Sequence, residues 1–191
     1  MRPPRSPSLE TLGIIAAVFA VQQAVALVGF GVELFALAAP LEHRPWTLLT
    51  SVYAHADLTH LFANAVGLAV LGLLVERASN RSRFHVFVLL TGLLAGLAEV
   101  LFGLLVGYPR MVLGISGAVF ALMGYVVAGN PVADSIMGRF RPTRRQQLLV
   151  VVVLGGLVTL VTASQGVALV AHFTGFALGL IGGRLHVLRA Y

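Results

Sequence analysis

The sequence contains no cysteine and no lysine, and only 10% of its 191 residues are charged. The absence of cysteine excludes disulfides, thiolate catalysis and Cys-based metal sites. A soluble domain usually carries about a quarter charged residues. The deficit here is concentrated in apolar runs of roughly 20 residues, the length needed to cross a bilayer. These runs lack the period-2 alternation of barrel strands, and in lipid only helices or closed barrels satisfy the backbone. The composition therefore predicts an all-α, polytopic integral membrane protein. The net charge is +6, and all thirteen basic residues are arginine. Most of them stand in short loops between apolar runs. That distribution is a topology signal and not a nucleic-acid-binding patch.

Residues 1–10 read as a short polar tail, and residues 11–191 as one six-helix membrane domain. The first apolar run covers 12–39. Its Ala36-Leu37-Ala38 imitates a signal-peptidase site, but the run exceeds the roughly 7–15 residues of a signal h-region. Residues 40–58 are too polar to span, and Trp46 and Tyr53 suit the membrane interface. Further spans are expected over 58–74, 84–106, 111–128, 147–163 and 167–188, with Pro131 as a stop signal after the fourth. Six spans put both termini on one side. Eleven of the thirteen arginines fall on that side, and only Arg44 and Arg110 fall opposite. The positive-inside rule then predicts cytoplasmic termini. No internal repeat stands out, which argues against an inverted-repeat transporter.

Polar residues inside hydrocarbon are expensive and point to function. Ser116 sits in Gly114-Ile115-Ser116-Gly117, just after a loop at 107–110. Small residues there suit tight helix packing. They also place a serine near a helix N-terminus, where unpaired amides and the dipole favour negative charge. His172 starts a face with Gly175, Gly179 and Gly182 by the 3.6-residue period. A histidine there either bridges two helices or serves as the base for a serine nucleophile. His60 and Asn64, four apart, share a face with Gly67 and Leu71. They form a structural hydrogen-bond pair or supply N–H donors to an oxyanion. A zinc site is disfavoured, because no H-E-x-x-H pattern is present.

Taken in order, these motifs resemble the rhomboid family. The G-x-S-G motif is Gly114 to Gly117, and A-H-x-x-G-x-x-x-G runs from Ala171 through Gly175 to Gly179. The H-x-x-x-N pair is His60 with Asn64, preceded by His55, and Glu76-Arg77 closes the same helix. The likeness covers about 46–188. Two positions depart from the family pattern: Trp46-Thr47 stands for Trp-Arg, and Phe120 stands where tyrosine is frequent.

The resemblance implies a minimal six-helix intramembrane serine endopeptidase of prokaryotic cell-membrane type. Its partners would be single-pass transmembrane substrates and the lipid bilayer, with no nucleic acid; the sequence does not set the oligomeric state. Ser116 would be the nucleophile and His172 its base. The Ser116 amide, His60 and Asn64 would hold the oxyanion, while Gly114, Gly117, Phe120 and Gly175 would shape the site. The phenyl ring of Phe120 can still stack on His172, without the hydroxyl that tyrosine would bring. Neither Glu33 nor Glu99 is linked to His172 by any motif, so a Ser–His dyad is expected, with no metal and no organic cofactor. The segment 107–114 is the expected lining of the aqueous cavity that hydrolysis requires. Two other readings belong to different classes: an inactive relative that binds membrane clients, and a small transporter. The first is disfavoured because such relatives lose the serine or histidine. The second is disfavoured because these polar groups converge on one place.

Overall fold

The computed structural model describes residues 6–140, 142–161 and 168–190, which form an all-helical bundle. Its α-helices are α1 (Pro7–Leu27), α2 (Thr47–Tyr53), α3 (Leu58–Glu76), α4 (Arg81–Leu105), α5 (Ser116–Ala128), α6 (Pro131–Phe140), α7 (Arg144–Val161) and α8 (Leu169–Arg184). Four of these, α1, α3, α4 and α7, are long and apolar enough to cross a membrane. A fifth span arises if α5 is taken together with the bent continuation 133–140, and α8 is a shorter apolar helix. Among the described residues there are thus four or five candidate spans where six were expected, and α8, at the place of the sixth, is shorter than the others.

Several boundaries move from where hydropathy put them. The first run, 12–39, is not one helix. Ser6 caps α1 by accepting from the Leu9 amide, so the helix begins at Pro7, inside the polar stretch. It ends at Leu27, where Gly29 adopts φ +90°. The remaining apolar residues fold back as a loop, burying Ala36 and Leu37. Hydropathy cannot see that break, because Leu27, Val28 and Phe30 are as apolar as the helix before them. The fourth run likewise divides, with 111–115 in a loop and the helix starting at Ser116. Pro131 follows the end of α5 as expected and also opens α6, with Asn130 accepting from the Ala133 amide at 2.9 Å. Ala163 and Val167, the expected edges of the last two spans, lie outside the described residues, as do Arg2, Arg5 and Arg141 of the charge count.

α5 is the centre of the bundle. Its buried residues include Gly117, Ala118, Ala121, Leu122, Gly124 and Tyr125. Lipid tails are as apolar as leucine, so close packing through small residues holds such helices together. α5 and α8 run parallel with glycines in the seam. A methyl added at Gly175 would lie 2.1 Å from Gly117 O, and one at Gly179 would lie 2.0 Å from Ala121 O. One turn on, Gly183 meets Tyr125 O. The seam thus continues through Gly183, whereas Gly182, expected on the His172 face, packs against Phe87 of α4. On the other flank, α4 brings Ala95 to Gly117 and α3 brings Gly67 to Val119. A core of Ile15, Leu68, Phe84, Val88 and Leu122 joins α1, α3, α4 and α5. α7 covers the α5–α8 seam through Val151, Leu154 and Val158.

The two ends of the bundle differ. At one end Ser6 and the Ser8 amide bind Glu76, Arg81 pairs with Glu10, and Arg184, His186 and Arg189 surround Asp134. The Ala190 amide there donates to Ala78 O at 2.9 Å. The other end holds the loop carrying Arg44, the loop carrying Arg110, and the first turn of α5.

Candidate active site

The loop before Ser116 is fixed from three directions. α4 ends at Leu105, and two residues on, Gly107, with φ +75°, permits the Tyr108 amide to reach back to Gly103 O at 2.8 Å. Val112 and Leu37 then exchange two backbone hydrogen bonds, of 2.8 and 2.9 Å. Finally the Gly114 amide donates to Ser51 O of α2 at 2.8 Å. α2, which the sequence did not announce as a helix, buries Thr47, Ser51 and Val52 to provide that acceptor. Loop anchoring at the Trp-Thr departure is explicit: Trp46 Nε1 donates to Leu34 O at 2.9 Å, and Arg44 donates to Glu33 O.

Gly114 has φ +119°, and an added methyl would lie 2.7 Å from His60 Cε1. Both its backbone angle and its contact with the imidazole therefore demand glycine. Ser116 is the first residue of α5, half-buried, and no side chain caps that helix. The Ala118 and Val119 amides donate to Ile115 O. Earlier amides have no intrahelical partner and point toward the helix entrance.

His172 lies in the first turn of α8, buried, at the same end of the seam. Its ring stacks on Phe120, one turn beyond Ser116, with centroids 4.1 Å apart and planes 25° apart. The phenyl ring thus stacks on the imidazole as the sequence allowed. The packing of Gly117 against Gly175 sets the two first turns side by side. Nδ1 of His172 is buried and has no hydrogen-bond partner among the described residues.

His60 and Asn64 occupy one face of α3, as expected. His60 touches Gly114, and Asn64 is buried, its Nδ2 donating to His60 O at 3.0 Å. One amide proton of Asn64 is therefore used within its own helix, and a primary amide has two. His55 is fully buried edge-on to His60, with centroids 5.1 Å apart. Burial, reinforced by the neighbouring His60, pushes His55 down to about 4, so its ring is neutral near neutral pH.

Two supporting contacts escaped the sequence reading. Gln22 of α1 binds both backbone groups of His55, accepting from its amide at 2.9 Å and donating to its carbonyl at 3.1 Å. The only hint was an amide inside an apolar run. Glu99 of α4 accepts from the Ala171 amide at 3.0 Å and from Arg110. The sequence offers no motif linking Glu99 to His172, yet in the fold Glu99 binds the amide of the residue directly before that histidine. No motif reports such a contact, because 72 residues separate the partners.

The model of the rhomboid domain matches residues 42–189. The chain belongs to the rhomboid family. It is 35% identical over 107 residues to rhomboid protease GluP of Bacillus subtilis (strain 168), covering 54% of this chain and 20% of that protein. Against RHOMBOID-like protein 4 of Arabidopsis thaliana it is 29% identical over 146 residues, covering 76% of this chain and 35% of that one. RHOMBOID-like protein 5 of the same plant is 26% identical over 151 residues, with shares of 78% and 46%. The chain spans less than half the length of each of these relatives. Rhomboid family proteins act, in general, as intramembrane serine proteases on transmembrane substrates. The apolar helices agree with an integral membrane protein.

Proposed function

We propose that this rhomboid protein is an intramembrane serine endopeptidase working through a Ser116–His172 dyad. The observation that carries the reading is the Phe120–His172 stack across the Gly117–Gly175 contact, because it sets the two reactive first turns side by side. Ser116 Oγ attacks the scissile carbonyl carbon while His172 takes its proton. The C–O bond forms, the carbonyl becomes an oxyanion, and the Ser116 amide, the His60 ring and the second Asn64 N–H donate to it. Collapse breaks the C–N bond, and the imidazolium returns the proton to the leaving amine. Water, entering beside 107–114, then repeats the sequence on the acyl-enzyme. Residues 106–111 are exposed, which suits that entrance.

The substrates are single-pass transmembrane proteins cut within or near the bilayer. The chain lies in a cell membrane as one helical domain that opens with α1 at Pro7 and not at residue 11, with both termini cytoplasmic; the arginine-rich end described above supports that orientation. A fluorophosphonate probe reports the reading directly. Purified protein in detergent should be labelled covalently, and Ser116→Ala should abolish labelling. Labelling that persists in Ser116→Ala removes Ser116 as nucleophile.

A further inference from the structure

α8 begins without a side-chain cap of its own, since its N-cap position is Ala168. Alanine cannot accept from the first-turn amides. The acceptor comes from another helix: Glu99 Oε2 takes the Ala171 amide at 3.0 Å. The other oxygen, Oε1, accepts from the Arg110 guanidinium. Glu99 is 1% exposed, while the Arg110 side chain is 40% exposed. The carboxylate is therefore the inner member of the pair, compensated by one cation and one helix N-terminus. Arg110 also lies over the Phe102 ring, 6.0 Å from its centroid, and Gly103 lets its stem approach α4 closely. Both arms end on segments that carry the proposed chemistry. Arg110 stands on the loop that pairs through Val112 and enters α5 at Ser116; Ala171 is the residue before His172.

We infer that Glu99 is a positioning residue, a carboxylate strut tying the loop of the nucleophile to the helix of the base. It is not a third triad member: it binds the backbone of α8, and the His172 Nδ1 has no partner among the described residues. The inference rests on the dyad reading above. Without the strut, the first turn of α8 and the 107–115 loop move independently, and His172 spends less time within reach of Ser116. A displacement of about 1 Å in such a site costs on the order of 10²-fold in rate.

The test compares wild type, Glu99→Gln and the double variant Glu99→Met/Arg110→Met. The measurements are kcat and KM on a model transmembrane substrate, the rate of fluorophosphonate labelling, and thermal unfolding. Replacing both charges by methionine leaves no buried unpaired ion, and thermal unfolding reports the cost of the Ala171 amide losing its acceptor. The double variant should lose about 10²-fold in kcat and in labelling rate, with KM unchanged. Glu99→Gln keeps an oxygen for the Ala171 amide but weakens the Arg110 arm, so its kcat should fall between the two. A folded double variant with wild-type kcat overturns the strut. So does an equal loss in both variants that follows their melting. If the double variant does not fold, Glu99→Gln decides: native melting with kcat below wild type and unchanged KM supports the strut, and wild-type kcat overturns it. Wild-type protein that neither cleaves nor labels overturns the dyad and the strut together, whereas loss confined to Ser116→Ala, with Glu99 variants intact, overturns the strut alone.

Discussion

Asn64 illustrates how a single side chain divides its donors. Its Nδ2 gives one proton to His60 O, four residues back, which fixes the amide plane on the buried face of α3. In the proposed mechanism the second proton donates to the oxyanion. Loss of one oxyanion donor typically costs about 10²–10³ in kcat. Asn64→Ala should therefore slow cleavage by roughly that factor while labelling of Ser116 remains detectable and melting stays near wild type. Cleavage at the wild-type rate removes Asn64 from the oxyanion hole. At this scale the sequence was legible where polarity was out of place: Ser116, His172, His60 and Asn64 each interrupt an apolar run. Gln22 and Glu99 interrupt runs too, but each binds a backbone group far off in sequence, 33 and 72 residues away, and no local pattern encodes those contacts.

The helix seam between α5 and α8 sets the site more than any side chain does. Gly175 and Gly179 leave no room for a methyl, because backbone oxygens of α5 stand about 2 Å from where it would go. Overpacking of this kind costs about 1–3 kcal/mol or more. Gly175→Ala should lower the melting temperature and activity together, by pushing the first turn of α8 off α5. Gly13→Ala in α1, which meets nothing within 4 Å, should leave the melting point unchanged or raise it by the equivalent of up to about 1 kcal/mol. Equal melting of the two variants contradicts the seam. Helix spacing announced this face through Gly175 and Gly179, but a four-residue stride carries the contact to Gly183 rather than Gly182. The short helix α2 and the Leu37–Val112 pairing were invisible, because both are defined by what they touch.

At the scale of the whole molecule, several arginines among the described residues group by the end of the bundle they occupy. Arg77, Arg81, Arg184 and Arg189 belong to the end where the N-terminal turn, the α3–α4 turn and the C-terminal segment meet. Arg44 and Arg110 belong to the end that carries Ser116. Cysteines placed at Ser6 and at Glu42 should label from opposite faces of sealed vesicles. Labelling from one face contradicts the topology.

The most direct measurement of the dyad is cleavage of a model transmembrane substrate by Ser116→Ala, His172→Ala and the double variant, with thermal unfolding of each. Residues acting in one chemical step lose activity non-additively. Either single variant should therefore be nearly as inactive as the double, with native-like melting in all three. Two packing residues would behave otherwise, with additive stability losses and activity proportional to folded protein. Substantial cleavage by well-folded Ser116→Ala would contradict the dyad outright.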